Sequence, residues 1–343
     1  MAEVVCLGEL LVDMMAGAEA PGEEPVDDVS AGDVSAGEIS LGEVSLGEAT
    51  YFHKAPGGAP ANVAVGLARL GRTSAFVGQV GDDPFGHWLR DTLARENVDV
   101  SHLLHSQVAR TTMAFIAARR DGQKDICFYR NPGADALLSS ADLRPQLLED
   151  VRIFHCGSVS LSQSPCREAQ MRVAQMCVER GVLVSFDPNW RPSLWDDADE
   201  ARELIWQMIP LSDVVKIAAE EWEFITGTNG LEDGATKIRA AGPRLVIVTR
   251  GAQGAYFNCA AASGEVPGVA ADALDSLGAG DAFVAGMLAK ILERDALADL
   301  LNEADLRRVV QFANACGAFA TQSRGALPGL PTREEIERFQ TNE

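Results

Sequence analysis

The stretch Asp275-Ser-Leu-Gly-Ala-Gly-Asp281-Ala-Phe283 runs directly into apolar residues at helical spacing, Val284, Met287, Leu288 and Ile291. Small residues at 278–280 let backbone N–H groups turn inward where a helix begins, and such a nest wraps an anion. Asp281, the next residue, is placed to accept a proton from a hydroxyl lying beside a bound phosphate. In phosphoryl transfer, positioning and charge stabilisation dominate, and the base mainly aligns the nucleophile. The helix dipole is expected to keep Asp281 ionised at neutral pH. Gly278, Ala279, Gly280 and Asp281 are therefore the candidate catalytic set. A glycine-rich helix start capped by an acid, without chemistry, is the alternative these residues alone leave open. A dinucleotide-binding loop fits less well, because the glycine spacing differs and the motif sits near the C-terminus.

A second glycine-rich stretch, Pro56-Gly57-Gly58-Ala-Pro-Ala-Asn62-Val-Ala-Val-Gly66, also precedes a helical pattern. Gly57 and Gly58 allow close backbone approach to a ligand, and the Asn62 amide on the first helical turn can bridge sugar hydroxyls. A loop serving only the helix start is equally compatible with this stretch.

Between these motifs, short apolar runs alternate with amphipathic segments. Strands are expected at 4–7, 75–80, 153–155, 183–186, 214–217 and 245–249. Helices are expected at 61–70, 84–96, 165–180, 198–208, 231–241, 279–293 and 304–321. This rhythm predicts a mainly parallel sheet covered by helices on both faces. Residues 113–118 and 125–130 instead alternate around Asp121-Gly122, a hairpin signal. They predict a small β lid with strands roughly at 49–54 and 111–130, attached to one domain spanning 1–343.

Composition narrows the function. The 343 residues are 47% apolar, enough for a sizeable core, and the formal net charge is −21. So acidic a surface repels nucleic acid and anionic membranes. It leaves nucleotides possible as substrates, because helix N-termini and bound cations hold phosphates locally. Residues 29–48 are four degenerate pentads (29–33, 34–38, 39–43, 44–48), and 17–48 holds nine acids and no Lys or Arg. This composition predicts a solvated, loosely ordered insertion without chemistry. Seven cysteines without a C-x-x-C pair suit free thiols in a reducing cytoplasm. The first apolar run is broken by Gly8, Glu9 and Asp13, which suits a buried strand better than a signal peptide. His102 and His105 have metal-ligand spacing but no evident third ligand.

Taken together, the two glycine motifs resemble the paired signatures of the ribokinase-like (PfkB) carbohydrate kinases, in the expected order. The blocks Lys54–Gly71, Phe128-Tyr-Arg-Asn-Pro-Gly-Ala-Asp135, Phe154-His-Cys-Gly-Ser158 and Asp187-Pro-Asn-Trp-Arg191 resemble the plant and bacterial fructokinases within it. Outside the insertion the resemblance covers essentially the whole chain.

The resemblance implies a three-layer α/β/α fold with a β lid, and transfer of the γ-phosphoryl of MgATP to the primary hydroxyl of fructose. It implies that Asp13, Gly57, Gly58 and Asn62 bind the sugar, and that Arg130 and Arg191 face the substrate or its transferring phosphate. Each arginine serves equally well, by itself, as half of a surface ion pair. Lys216, Thr249, Gly251, Gly254 and Asn314 would serve the nucleotide, although for Asn314 a helical role is the stronger reading. Glu221 would organise Mg2+ through water, and Asp275 would help hold a monovalent cation, K+. A homodimer through the lid is implied by analogy alone.

The sequence departs from the family pattern at Ala218, Trp190 and Ser276, and in the acidic insertion. Two other functions stand beside fructose phosphorylation. One is kinase activity on 2-keto-3-deoxygluconate, another ketose or a nucleoside. The other is a degenerate kinase acting as a binding or scaffold protein.

Overall fold

Leu245, Val246, Ile247 and Val248 are all buried, yet successive side chains of a strand point to opposite faces of its sheet. Leu245 and Ile247 join one apolar cluster and Val246 and Val248 another, so this strand lies between two helical layers. The computed structural model describes residues 2–17, 45–118 and 124–341. The acidic segment up to residue 44 and the Asp121-Gly122 turn lie outside the described residues.

In chain order the first strands are β1 (Val4–Leu7), β2 (Leu11–Gly17), β3 (Tyr51–Gly57), β4 (Ser74–Gly81), β5 (Asp99–Ser106), β6 (Met113–Ala118) and β7 (Lys124–Tyr129). They are followed by β8 (Ile153–Cys156), β9 (Leu183–Phe186), β10 (Val214–Ala218), β11 (Leu245–Thr249), β12 (Ala255–Cys259) and β13 (Ser263–Val266). The large sheet has the order β13-β12-β11-β10-β9-β8-β1-β4-β5. Its pairings are parallel from β5 through to β11, and antiparallel at β12 and β13.

The helices are α1 (Ala59–Arg69), α2 (Pro84–Arg95), α3 (Cys166–Arg180), α4 (Ala198–Met208), α5 (Ala219–Thr226) and α6 (Leu231–Ala240). After them come α7 (Ala279–Ile291), α8 (Glu303–Ala320), α9 (Ala326–Gly329) and α10 (Arg333–Thr341). Helices α3 to α6 cover one face, while α1, α2, α7, α8 and α10 cover the other. This is the α/β/α sandwich expected. Among the described residues, no helix is long and apolar enough to cross a membrane.

A second sheet, β3-β2-β6-β7, forms the lid. β2 runs antiparallel to β3 and parallel to β6, and β7 returns antiparallel along β6. The expected lid strands are present, and the sheet also contains β2, so Asp13, which follows the first core strand, sits inside a lid strand. The sequence reading also passed over β5, β12, β13, α5 and α10. β5 reads Asp-Val-Ser-His-Leu-Leu-His-Ser, too polar for a core-strand pattern, and α5 is only eight residues long with three acids.

Local chemistry sets the ends that matter. The Asp83 side chain accepts from the N–H groups of Phe85 and Gly86 and starts α2, with Pro84 at its first position. Gly58, ahead of α1, has φ 113°, and a Cβ there would lie 2.3 Å from the Glu9 carbonyl oxygen. Helix α1 packs directly on α7 where Gly66 faces Ala285; a Cβ on Gly66 would lie 2.7 Å from the Ala285 Cβ. Gly66→Leu is expected to cost about 1–3 kcal/mol by overpacking, read as a lower urea midpoint at unchanged m. An unshifted midpoint would show that the two helices tolerate separation.

Candidate active site

The glycine-rich loop enters α7 through Gly278, which has φ 81° and would press a Cβ to 2.7 Å from Ala326. The first N–H groups of a helix have no intrahelical acceptor, so this turn presents donors where positive dipole is concentrated. Ala279 N–H makes a loose turn contact with the Ser276 carbonyl at 3.3 Å. Asp281 lies in this first turn and is buried. Its Oδ2 accepts a 2.8 Å hydrogen bond from the Asn62 Nδ2 on α1, so the two glycine motifs meet at one carboxylate. The other polar atom of the amide, Asn62 Oδ1, is buried without a protein partner.

Burial pushes the Asp281 carboxyl up to about 6; Asp187 adds to the rise, while Asn62, Lys216 and Arg191 oppose it. The group is therefore mostly ionised at neutral pH, with less margin than the helix dipole alone implies.

Lys216, on β10, stands beside this turn: a Cβ on Gly280 would be 3.4 Å from its Nζ. Its ammonium pairs with Asp187 Oδ2 at 3.0 Å, both side chains being almost wholly buried. Burial works against that charge, but Asp187, Glu221 and Asp281 together hold the lysine above its ordinary range. Glu221 is buried at the start of α5. Its Oε1 accepts from Ala218 N–H at 3.0 Å, and its Oε2 accepts from Trp190 N–H at 2.7 Å. Burial and the neighbouring Asp187 raise its carboxyl. Ala218 thus supports Glu221 through its backbone, and a polar side chain there is not required for that contact. The Trp190 ring stacks on Phe224 with centroids 3.7 Å apart.

Asp13 faces the same region from the lid. Gly57 makes room for it, since a Cβ there would lie 2.3 Å from Asp13 Oδ2. Burial lifts the Asp13 carboxyl to about 7, with Asp281 adding to the rise and Arg191 and Lys124 opposing it. Arg191 makes only long contacts of 3.3 and 3.4 Å to nearby carbonyls, and its charge acts on both Asp13 and Asp281. Arg130 is placed differently: its Nε bonds Asp135 Oδ2 at 2.7 Å and its Nη1 bonds Ser162 Oγ at 2.8 Å. Nη2 has no partner in its buried position. Arg130 is thus ion-paired, but in a buried pair and not at the surface, with one donor unused.

Two further groups were missed in the sequence. Glu9 is buried, accepts the Ala59 N–H at 2.9 Å, and is raised to about 7 chiefly by burial. It reads in sequence as a break in an apolar run. Asp187 follows β9 at the carboxyl edge of the sheet, where ligands of open α/β folds bind; in the sequence it stood only as the first residue of the block Asp187–Arg191, with no role attached.

Of the residues expected to serve a nucleotide, Thr249 ends β11. Gly251 and Gly254 then turn with φ 55° and 90°, a Cβ on Gly254 lying 2.1 Å from the Val266 carbonyl. Asn314 is buried on α8, and its Nδ2 binds the Pro267 carbonyl at 2.9 Å and the Val266 carbonyl at 3.3 Å. It braces the segment following β13.

Asp275 Oδ1 carries the Lys124 ammonium at 2.5 Å, a contact absent from the expected cation role. Among the described residues, no group of three or more His, Cys, Asp or Glu could hold a metal ion. A cation that arrives with the nucleotide and keeps its waters fits better. The buried, unpartnered Asp187 Oδ1 and the lone pairs left on Glu221 can accept from such waters.

A buried carboxylate at a helix N-terminus, a buried lysine beside it and a second carboxylate facing them from the lid are the parts that a small-molecule kinase of the α/β/α type requires. Residues 34–333 match the pfkB family carbohydrate kinases, and the chain belongs to that family. A probable chloroplastic fructokinase-6 of Arabidopsis thaliana is 41% identical over 335 residues, spanning 97% of this chain and 81% of that protein. Fructokinase from Vibrio cholerae O395, solved with fructose, ADP and calcium ion, matches with TM-score 0.82 at 32% identity over 99% of each chain. A double mutant of that fructokinase, solved with fructose, ADP and potassium ion, matches with TM-score 0.83 at 33% identity, covering 99% of this chain and 98% of its own.

Glu9, Asp13 and Asp281 all bind protons more tightly folded than unfolded, so their favourable contribution is complete at low pH and is lost as pH rises through about 6 to 7. The ligand-free protein is expected to be more stable at pH 6 than at pH 8, by at most about 1.4 kcal/mol per pH unit for each group. Asp13→Asn should flatten that slope in urea titrations. An unchanged slope would place the titration elsewhere.

Proposed function

We propose that this chain transfers the γ-phosphoryl of ATP to the primary hydroxyl of fructose, releasing fructose 6-phosphate and ADP. The observation that carries this reading is the buried Asp281 carboxylate, held by Asn62 at the N-terminus of α7 with the Lys216 ammonium alongside. The likeness to fructokinases along nearly the full chain supports fructose as the acceptor.

In this reading Asp13, Asn62 and the Gly57-Gly58 backbone fix the sugar so that its hydroxyl lies against Asp281. Asp281 takes the hydroxyl proton as the new O–P bond forms and the bond to the β-phosphate oxygen breaks. The first-turn amides of α7 stabilise the charge on the transferring group, and Lys216 and Arg191 add positive field. Thr249, Gly251 and Gly254 shape the nucleotide side. Mg2+ is the metal ion we assign to the nucleotide, where it would neutralise phosphate charge, its waters facing Glu221 and Asp187. The lid excludes water, so that phosphoryl transfer to the sugar prevails over hydrolysis.

Two ancillary features belong to the same reading. The free thiols suit a reducing cytoplasm. A homodimer through the lid would use its outward aromatic run, in which Phe52 meets Phe115 edge-on at 5.1 Å and Phe115 lies 5.0 Å from the exposed Tyr129.

An ADP-release assay with fructose, glucose, ribose, adenosine and 2-keto-3-deoxygluconate tests the assignment, and a clear preference for fructose is expected. Preference for another acceptor would keep the chemistry and replace the substrate, whereas silence across the panel with ATP still bound would favour the binding-protein reading. Asp281→Asn should lower kcat by about 10²–10⁴-fold and leave the Kd for MgATP nearly unchanged. In the wild type, kcat should fall as pH drops through about 6, where the base becomes protonated. Near-normal turnover in the variant would remove Asp281 from the role.

A further inference from the structure

Lys124 opens β7 on the lid and shares a strand face with Ile126 and Phe128. That face is the inner one: Ile126 and Phe128 pack with Leu11, Ala114 and Ile116 against Leu277, inside the glycine-rich loop that leads into α7. At the same edge the Lys124 Nζ meets Asp275 Oδ1 at 2.5 Å, across 151 residues of chain. Asp275 is the knot of that loop. Its Oδ1 also accepts Leu277 N–H, and its Oδ2 accepts Gly325 N–H, each at 2.9 Å. The Gly325 turn in turn leads into Ala326, against which Gly278 is pressed. The pair is sheltered, with side chains 24% and 14% exposed.

We propose that Lys124 is a positioning residue that latches the lid to the foot of the anion loop, its ammonium docked on Asp275 where a monovalent cation would otherwise sit. Closing the lid and ordering the loop are then a single event. The same ammonium lends positive field to Asp13, so lid, sugar carboxylate and anion loop respond to one charge. Lys124 touches no reacting atom in this role; it acts through Asp275 and the loop Asp275 ties. The inference rests on the kinase reading for its purpose but on the ion pair for its existence.

The test is amide hydrogen exchange over β6 and β7 of the full-length, sugar-free protein. It compares wild type, Lys124→Met and Lys124→Arg, in KCl and in tetramethylammonium chloride, whose cation is too large for the site. In tetramethylammonium, Lys124→Met should exchange at least about fivefold faster, the size of a partly sheltered ion pair. Lys124→Arg should retain most of the protection. KCl should restore protection to Lys124→Met and leave the wild type unchanged. Sugar KM should rise in Lys124→Met by more than kcat falls, with faster ATP hydrolysis in the absence of sugar. Unaltered lid exchange in Lys124→Met would overturn the latch, and failure of KCl to restore protection would overturn the claim that the ammonium occupies a cation's place. Neither result depends on which sugar is phosphorylated. Inactivity of the wild type across the acceptor panel would instead strike the kinase reading and leave the latch standing.

Discussion

The close approach of α1 and α7 governs the rest of the site. Both helices begin in glycine-rich loops far apart in sequence, and each brings one polar group, Asn62 or Asp281, to a shared hydrogen bond of 2.8 Å. Gly66 opposite Ala285 lets the helices pack closely enough for that bond. A longer side chain at either contact would separate the amide from the carboxylate before it touched any substrate. Packing about one turn away thus sets the geometry of that carboxylate.

Around that bond the molecule gathers charges that burial disfavours. Asp281, Asp187, Glu221, Asp13 and Glu9 approach from different elements, with Lys216 the buried cation beside Asp187 and Arg130 the one near Glu9. Desolvation is the leading cause of the raised carboxyls of Asp281, Asp13 and Glu9, and such a cluster is expensive for a ligand-free protein to hold. The same low-dielectric setting strengthens the pull of Lys216 and the helix N-terminus on a transferring phosphoryl group. It also brings the base toward a proton affinity at which it can take a hydroxyl proton near neutral pH. Instability in the empty site and competence in the filled one have a common origin.

Much of this was legible in the sequence because the decisive features are local. The loop 275–281 announces itself through consecutive small residues before an acid, and the core strands through short, mostly apolar runs of four or five. Gly57, Gly58 and Asn62 stand together in one stretch and meet the site together. What escaped was non-local or masked by polarity. Glu9 looks like an interruption of an apolar run, yet it is buried because the chain turns there from the core sheet into the lid and its carboxylate caps the N–H of Ala59. The pairing of Arg130 with Asp135, from the turn that follows it, could not be read from pattern alone. The contact of Lys124 with Asp275 joins the lid to a loop near the other end of the chain, beyond the reach of any window of spacing.

The arrangement of the lid follows from connectivity as much as from packing. β1 belongs to the core sheet and β2 to the lid, with Gly8, Glu9 and Leu10 between them, while β3 leads through Gly58 straight into α1. Any tilt of the lid therefore acts on Glu9, Gly58 and the start of the helix that holds Asn62. Asp13 is tied to the same hinge because it fits against Gly57, the last residue of β3. On the far side, β6 and β7 have no such short link to the core; their inner face meets Leu277, and Lys124 meets Asp275. One half of the lid is tied to the core by a three-residue link and by β3 running into α1; the other adds side-chain contacts to the loop that leads into α7. The four-stranded sheet joins the two, with the hydrogen bond between Asn62 and Asp281 beneath it.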